Sequence, residues 1–149
     1  MPDIDLAQAE ADALIRMEKV RTSEDVWEYP GMGGGISIPL VSVDNRESFW
    51  LDISRGRIEL LKAKYQNRAR QVVALVRLDC WGSPHRNPDG MEVACPHLHI
   101  YREGYGDKWA LPVPSGEFAH LGDLWQTLFD FMQYCHITRP PNMQRGLFT

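Results

Sequence analysis

Residues 47–54 read Glu47-Ser48-Phe49-Trp50-Leu51-Asp52-Ile53-Ser54. Phe49, Leu51 and Ile53 alternate with Ser48, Trp50, Asp52 and Ser54. Successive side chains of an extended chain point to opposite faces, so this stretch predicts a strand with one apolar side. The same period extends outward. Ile36–Val43 is β-rich, and Pro39 suggests an edge strand, because proline cannot donate to a ladder. Asp44-Asn45 marks a turn. Downstream, Arg55-Gly56 predicts a tight hairpin, and Arg57–Tyr65 a strand whose phase slips near Leu60-Leu61. Gln66-Asn67-Arg68 reads as a second turn. Gln71–Asp79 carries Val72, Ala74, Val76 and Leu78 on one face and Val73, Leu75, Arg77 and Asp79 on the other, the pattern of a central strand. His97–Arg102 and Trp109–Val113 form a last pair across Glu103–Gly106. Such short connections imply an antiparallel meander.

Outside residues 36–113 the period becomes helical. Leu6, Ala9, Ala13, Met17 and Val20 recur at three and four, predicting an N-terminal helix within residues 1–22 with Asp3 or Asp5 as its cap. Leu121, Leu124, Leu128, Phe131 and Cys135 predict a C-terminal helix over residues 120–135. Pro140-Pro141 leaves 139–149 as a tail. The expectation is one α+β domain, residues 1–149: an antiparallel sheet of five to six strands with both helices on one face.

Composition sets bounds. At 149 residues, 44% hydrophobic and 24% charged, the chain is long and apolar enough for a core and is no disordered polymer. No apolar run approaches the ~18 residues a membrane span needs. No N-terminal stretch has signal-peptide character. Three cysteines, an odd number, fit a reducing cytoplasm. The net charge of −4 conceals a basic stretch of Arg55, Arg57, Lys62, Lys64, Arg68, Arg70 and Arg77, which could track a phosphate backbone or simply be solvated. Pro30–Gly35 lacks the Lys-Ser/Thr of a phosphate loop and reads as a connector.

Chemistry concentrates in Arg77-Leu78-Asp79 and Pro96-His97-Leu98-His99-Ile100-Tyr101, with His85 in the loop between. Alternation puts His97, His99 and Tyr101 on one strand face, and Arg77 and Asp79 join them if the two strands are neighbours. Three readings follow. The first is acid–base cleavage of a phosphodiester: His97 and His99 are the acid–base pair, because an ordinary histidine pKa of ~6.5 suits both roles, Arg77 stabilises developing charge and Asp79 orients an imidazole. Here His85 and Tyr101 are auxiliaries and no cofactor or metal is needed. The second is a metal site on His97 and His99, with His85 or Cys95 added, ranked lower because paired Cys-x-x-Cys is missing. The third is a hydrogen-bonded sheet face without chemistry. Cys80, Cys95 and Cys135 are weak nucleophile candidates. Trp50, Trp81 and Trp109 could stack bases or simply pack.

The stretch Pro96-His97-Leu98-His99-Ile100-Tyr101-Arg102-Glu103-Gly104-Tyr105-Gly106-Asp107-Lys108-Trp109-Ala110 resembles a family of short bacterial proteins of unassigned function found in mobile elements, domain-of-unknown-function family 6978. Size and element order extend that resemblance over most of the chain. Over residues 77–99, Arg77-x-Asp79, Pro84-His85 and Pro96-His97-x-His99 are similar to the Arg-x-Asp, Pro-His, Pro-His-x-His pattern of TumE-type toxins. The spacing is longer here, with Asn87-Pro88-Asp89-Gly90-Met91 reading as an insertion. The similarity implies a cytoplasmic endoribonuclease toxin with RNA as substrate and a protein antitoxin as partner. The alternative is a non-enzymatic, prophage-borne module that binds a host or phage protein. Either is compatible with a homo-oligomer, and neither involves a membrane.

Overall fold

In a computed structural model, which describes residues 5–146, the alternating stretch forms β4, Ser48–Arg55, with Phe49, Leu51 and Ile53 buried. It lies between β3 (Gly35–Ser42) and β5 (Ala63–Ala69), antiparallel to both. The sheet continues through β6 (Val73–Asp79), β9 (His97–Ile100) and β10 (Ala110–Pro112) on one side. On the other side follow β1 (Lys19–Arg21) and β11 (Ile137–Arg139). The order is β10-β9-β6-β5-β4-β3-β1-β11. Two small ladders complete the fold: β2 (Val26–Glu28) with β12 (Asn142–Gln144), and β7 (His85–Arg86) with β8 (Glu92–Val93).

The α+β class holds, but the sheet has eight strands rather than five or six, and it is mixed because β11 runs parallel to β1. The extra strands come from outside 36–113. Residues expected to finish the first helix form β1; β11 begins just before the expected tail, at Ile137, and the tail itself supplies β12. Helix α1 spans only Gln8–Arg16. Ala7 occupies its N-cap with no side-chain bond, so Asp5 does not cap it, and Asp3 lies outside the described residues. Its core contacts are Ala11 and Leu14, preceded by Leu6, whereas Ala9 and Ala13 face outward. Helix α2 spans Leu124–Tyr134 and is capped by Asp123, whose carboxylate accepts from the Gln126 N–H at 3.1 Å. Among the described residues, no helix is long and apolar enough to cross a membrane.

Four local readings are corrected. Residues 57–62 are a loop, not a strand: Ile58 and Leu60 are exposed, and the Gly56 N–H donates to the Lys62 carbonyl at 2.8 Å. The polar triplet Gln66-Asn67-Arg68 lies inside β5. The chain reverses instead at Arg70-Gln71, both left-handed (φ 50° and 68°). The irregularity expected near Leu60 lies on β6, where Asn67 pairs with Val76 and Arg68 with Ala74. The extra residue, Leu75, puts Leu75 and Val76 in the core together. Pro39 does not mark an edge strand: β3 lies between β4 and β1, and Pro39 is accommodated because β1 pairs with β3 only as far as Leu40.

Both helices contribute to one core with the apolar sheet face, where Leu14, Leu128, Phe131 and Met132 join Leu51, Tyr65, Leu78 and Leu98. Tyr65 donates its hydroxyl to the Leu124 carbonyl at 2.9 Å, tying β5 to α2. Lys19 is the unexpected core residue. Its buried ammonium donates to the Ile15 and Met17 carbonyls at 2.9 Å and to the Cys135 carbonyl at 2.8 Å. These carbonyls belong to the C-terminal ends of both helices, where the backbone is electron-rich and lacks helical donors.

Candidate functional site

The other sheet face is polar and in register. Ser37, Asp52, Gln66, Arg77, His99 and Ala110 oppose one another in one row across six strands. Ser54, Lys64, Asp79, His97 and Pro112 form the next. Asp52 anchors the middle: it accepts two bonds from Arg68 at 2.9 Å, one from Gln66 at 2.9 Å and one from Ser37 at 2.7 Å. This explains why Gln66-Asn67-Arg68 tolerates a mid-strand position. The two outer side chains belong to the polar face, and Asn67 turns inward to donate to the Trp50 carbonyl at 3.3 Å.

At β6 and β9 the polar face becomes enclosed. Arg77 lies opposite His99, and Asp79 opposite His97. Arg77 Nε donates to Asp79 Oδ1 at 3.0 Å, Nη1 to Asp107 Oδ2 at 2.7 Å and Nη2 to His99 Nε2 at 3.1 Å. Asp79 Oδ2 lies 3.1 Å from His97 Nε2 and 3.5 Å from His99 Nε2. The β7–β8 hairpin brings His85 against both rings, at centroid distances of 4.6 Å from His99 and 5.8 Å from His97. Asn87 holds the hairpin down: its amide exchanges two hydrogen bonds with the Ala110 backbone, at 2.9 and 2.8 Å.

Tautomers follow from the partners. His99 Nδ1 lies 2.7 Å from the Asp107 carbonyl, which only accepts, so Nδ1 carries a proton. Guanidinium only donates, so in its bond to Arg77 the His99 Nε2 offers a lone pair. His97 Nδ1 is buried with no hydrogen-bond partner. Burial pulls the His97 pKa below its ordinary value, although Asp79 opposes this. For Asp79, burial alone would raise the pKa, but His99 when protonated on both nitrogens, the Arg77 guanidinium and Lys64 more than reverse it, so the carboxyl lies well below the usual range.

His97 and His99 are only 2% and 1% exposed. The cluster therefore has an inner group, Asp79, His97 and His99, and an outer pair, Arg77 and His85, that meets solvent. Tyr101 departs from the expected arrangement. It lies beyond the end of β9, and its hydroxyl accepts from the Leu6 N–H at 2.6 Å and donates to the Leu6 carbonyl at 2.9 Å. It fastens the chain before α1 and makes no contact with the histidines. Asp107 and Asn87 do belong to the cluster, and local pattern gave no reason to single them out. Asp107 lies in a hairpin turn, where charge is ordinarily solvated.

The remaining candidates fall away. Burial raises the Cys80 and Cys135 thiols to about 12 and also pushes Cys95 up, so none is a ready thiolate. The basic stretch is not a continuous track. Arg55 is buried on the Pro30 and Leu60 carbonyls, Arg68 is spent on Asp52, Arg70 on Glu47 and Glu10, and Arg77 on Asp79 and Asp107. Trp50 lies under Arg68 and Trp109 under Arg102, while Trp81 is half-exposed.

No curated protein and no solved structure matches the chain. A family model does, over residues 6–137, which takes in both helices and every residue of the cluster. The chain thus belongs to DUF6978, a family of unknown function.

Proposed function

We propose that the chain cleaves RNA at this cluster, as the endoribonuclease toxin of a toxin–antitoxin module. The observation that carries the reading is the convergence of a guanidinium, a carboxylate and three imidazoles at one end of an open polar sheet face. Burial divides the work. Arg77 stabilises charge developing on the phosphorane, and His85, the imidazole nearest solvent, takes the proton of the attacking 2′-hydroxyl and returns it to the leaving 5′ oxygen, in place of the buried His97 and His99. Asp79, His97 and His99 hold these two from beneath. Lys64 and Gln66, in the same two rows on the adjoining strand β5, offer the approaching RNA strand further polar contacts. The test is induced expression of wild type beside His85→Ala and Arg77→Lys, scoring growth and RNA integrity. Loss of about 10²–10⁴ in cleavage rate is expected for His85→Ala. Arg77→Lys should also lose activity, because ammonium lacks the planar fork that meets a phosphoryl group at two points. A non-toxic wild type that leaves RNA intact would refute the proposal.

A second reading rests on a different surface. Ile58 and Leu60 are 88% and 64% exposed on the 56–62 loop, beside a groove lined by Tyr29, Leu61, Leu124 and Trp125. Exposed apolar residues at a groove suit a protein partner, whether an antitoxin or the target of a non-enzymatic binding module. Pull-down of one defined partner that is lost on Leu60→Asp, with no RNA cleavage by wild type, would favour the binding module.

A further inference from the structure

We propose that Asp79, His97 and His99 form a binding site for a divalent transition-metal ion, with zinc(II) best suited to the donor set. The three residues offer ligand atoms that all lie within 4.8 Å of one another, and all three are buried. Two of the spacings are those of ligands around a common ion. Tetrahedral ligands at ~2.0–2.1 Å from zinc are separated by about 3.3 Å. Asp79 Oδ2 lies 3.1 Å from His97 Nε2 and 3.5 Å from His99 Nε2.

Proton positions point the same way. His99 keeps its proton on Nδ1 for the Asp107 carbonyl, so its Nε2 carries a lone pair, which accepts from Arg77 Nη2 at 3.1 Å and sits 3.5 Å from the Asp79 carboxylate oxygen. Two acceptors confronting each other out of water call for a cation between them. Arg77 supplies part of that charge now, through its bond to His99 Nε2. With a metal on that lone pair, Nη2 of Arg77 is released, while Nε and Nη1 remain on Asp79 Oδ1 and Asp107 Oδ2. The outer atoms of two ligands are thereby already oriented: Asp79 Oδ1 by Arg77, and His99 Nδ1 by a backbone carbonyl. Metal-bound carboxylates and imidazoles are ordinarily held in this way. Two imidazoles and one carboxylate suit zinc and its first-row neighbours better than calcium or magnesium, which prefer oxygen. Three protein ligands leave a fourth position for water or a further ligand.

The inference does not depend on the RNA-cleavage proposal, and its test uses no RNA. The full chain, stripped with chelator, is titrated with zinc(II) by calorimetry and with cobalt(II) by visible absorption. One equivalent should bind, with a tetrahedral cobalt spectrum. His97→Gln and His99→Gln should each weaken binding by more than about 100-fold, since loss of an outer-shell partner alone costs 10–100-fold. His120→Gln, outside the cluster, should leave it unchanged. If the glutamine variants fail to fold, X-ray absorption of the wild-type zinc complex decides: nitrogen and oxygen neighbours at ~2.0–2.1 Å with imidazole scattering are expected. No binding by wild type at millimolar metal, undiminished binding in both folded variants, or absorption lacking imidazole would overturn the site. RNA cleavage by chelator-treated protein that takes up no zinc would also sink it, and would leave the proposed activity standing.

Discussion

Replacing Lys19 with methionine keeps the length of the side chain and removes its three donors. The ammonium is fully buried and serves three carbonyls, those of Ile15, Met17 and Cys135. Hydrogen bonds from a charged donor are worth ~1.5–3 kcal/mol each, and a buried acceptor left unpaired costs ~1–3 kcal/mol. Against this, the variant no longer desolvates a cation. Burial of that cation brings the Lys19 pKa from 10.5 down to about 8, a penalty of up to about 3 kcal/mol at neutral pH. The balance is a net loss of about 2–6 kcal/mol, or roughly 5–20 °C in Tm for a chain of this size. Urea unfolding followed by tryptophan fluorescence measures it. A second signature has a definite sign. Between pH 8 and 10.5 the unfolded chain binds a proton at Lys19 that the native chain has released, so this residue makes stability rise with pH. Cys80 and Cys135, raised from 9 to about 12 by burial, act oppositely once pH passes 9. The Lys19 contribution is therefore cleanest from pH 8 to 9, as the difference in slope between wild type and Lys19→Met. A variant equal to or more stable than wild type at pH 7 would refute the reasoning, since cation desolvation would then outweigh the carbonyl bonds.

The cluster yields further expectations for the metal-free protein. Burial keeps the His97 pKa below 6.5, so in acid the unfolded chain takes up the proton more readily; Tm should fall as pH drops from 7 toward 5, and less steeply in His97→Gln. Asp79→Asn removes the charge and one of the two oxygens that meet Arg77 and His97 and should cost about 2–4 kcal/mol at pH 7 in urea unfolding. Because the Asp79 pKa is depressed below 3.8, that difference should be present above pH 3.8 and shrink as acid protonates the native carboxylate. Asn87→Ala leaves the Ala110 N–H and carbonyl without their side-chain partner; a loss of about 1–3 kcal/mol is expected, with faster amide exchange at Ala110. Unchanged exchange there would mean the β7–β8 hairpin stays down without it.

Strands whose alternation was complete were legible. Ser48–Arg55 matches its pattern almost to the residue, because Phe49, Leu51 and Ile53 meet the core while Ser48, Trp50, Asp52 and Ser54 lie on the other face. Arg57–Tyr65 misled because Ile58 and Leu60 are apolar yet face solvent, and nothing in a one-dimensional pattern marks an exposed leucine. Gln66-Asn67-Arg68 misled in the opposite sense, since its polar groups find partners on β4. The reversal at Arg70-Gln71 uses residues with no turn signature. For the cluster, His-x-His alternation placed His97 and His99 on one face with Arg77 and Asp79. The same alternation misplaced Tyr101, because β9 ends at Ile100 and the Tyr101 hydroxyl is taken by Leu6.

The sequence by itself determined the α+β class, the central strands, the presence of two helices and the residue types that meet at the cluster. All of these depend on periodicities of two or 3.6 residues and on neighbours close in the chain. Tertiary structure alone decided the mixed eight-stranded sheet, the burial of Lys19 and of the two histidines, and the entry of Asp107 and Asn87 into the site. Strands of three residues such as β1 and β11 carry too little pattern to be seen, and they exist because a partner more than a hundred residues away satisfies their backbone. The burial of a histidine or lysine likewise depends on which distant carbonyl or carboxylate the fold delivers to it. A buried polar group persists only where such a partner arrives, and local spacing does not encode that arrival.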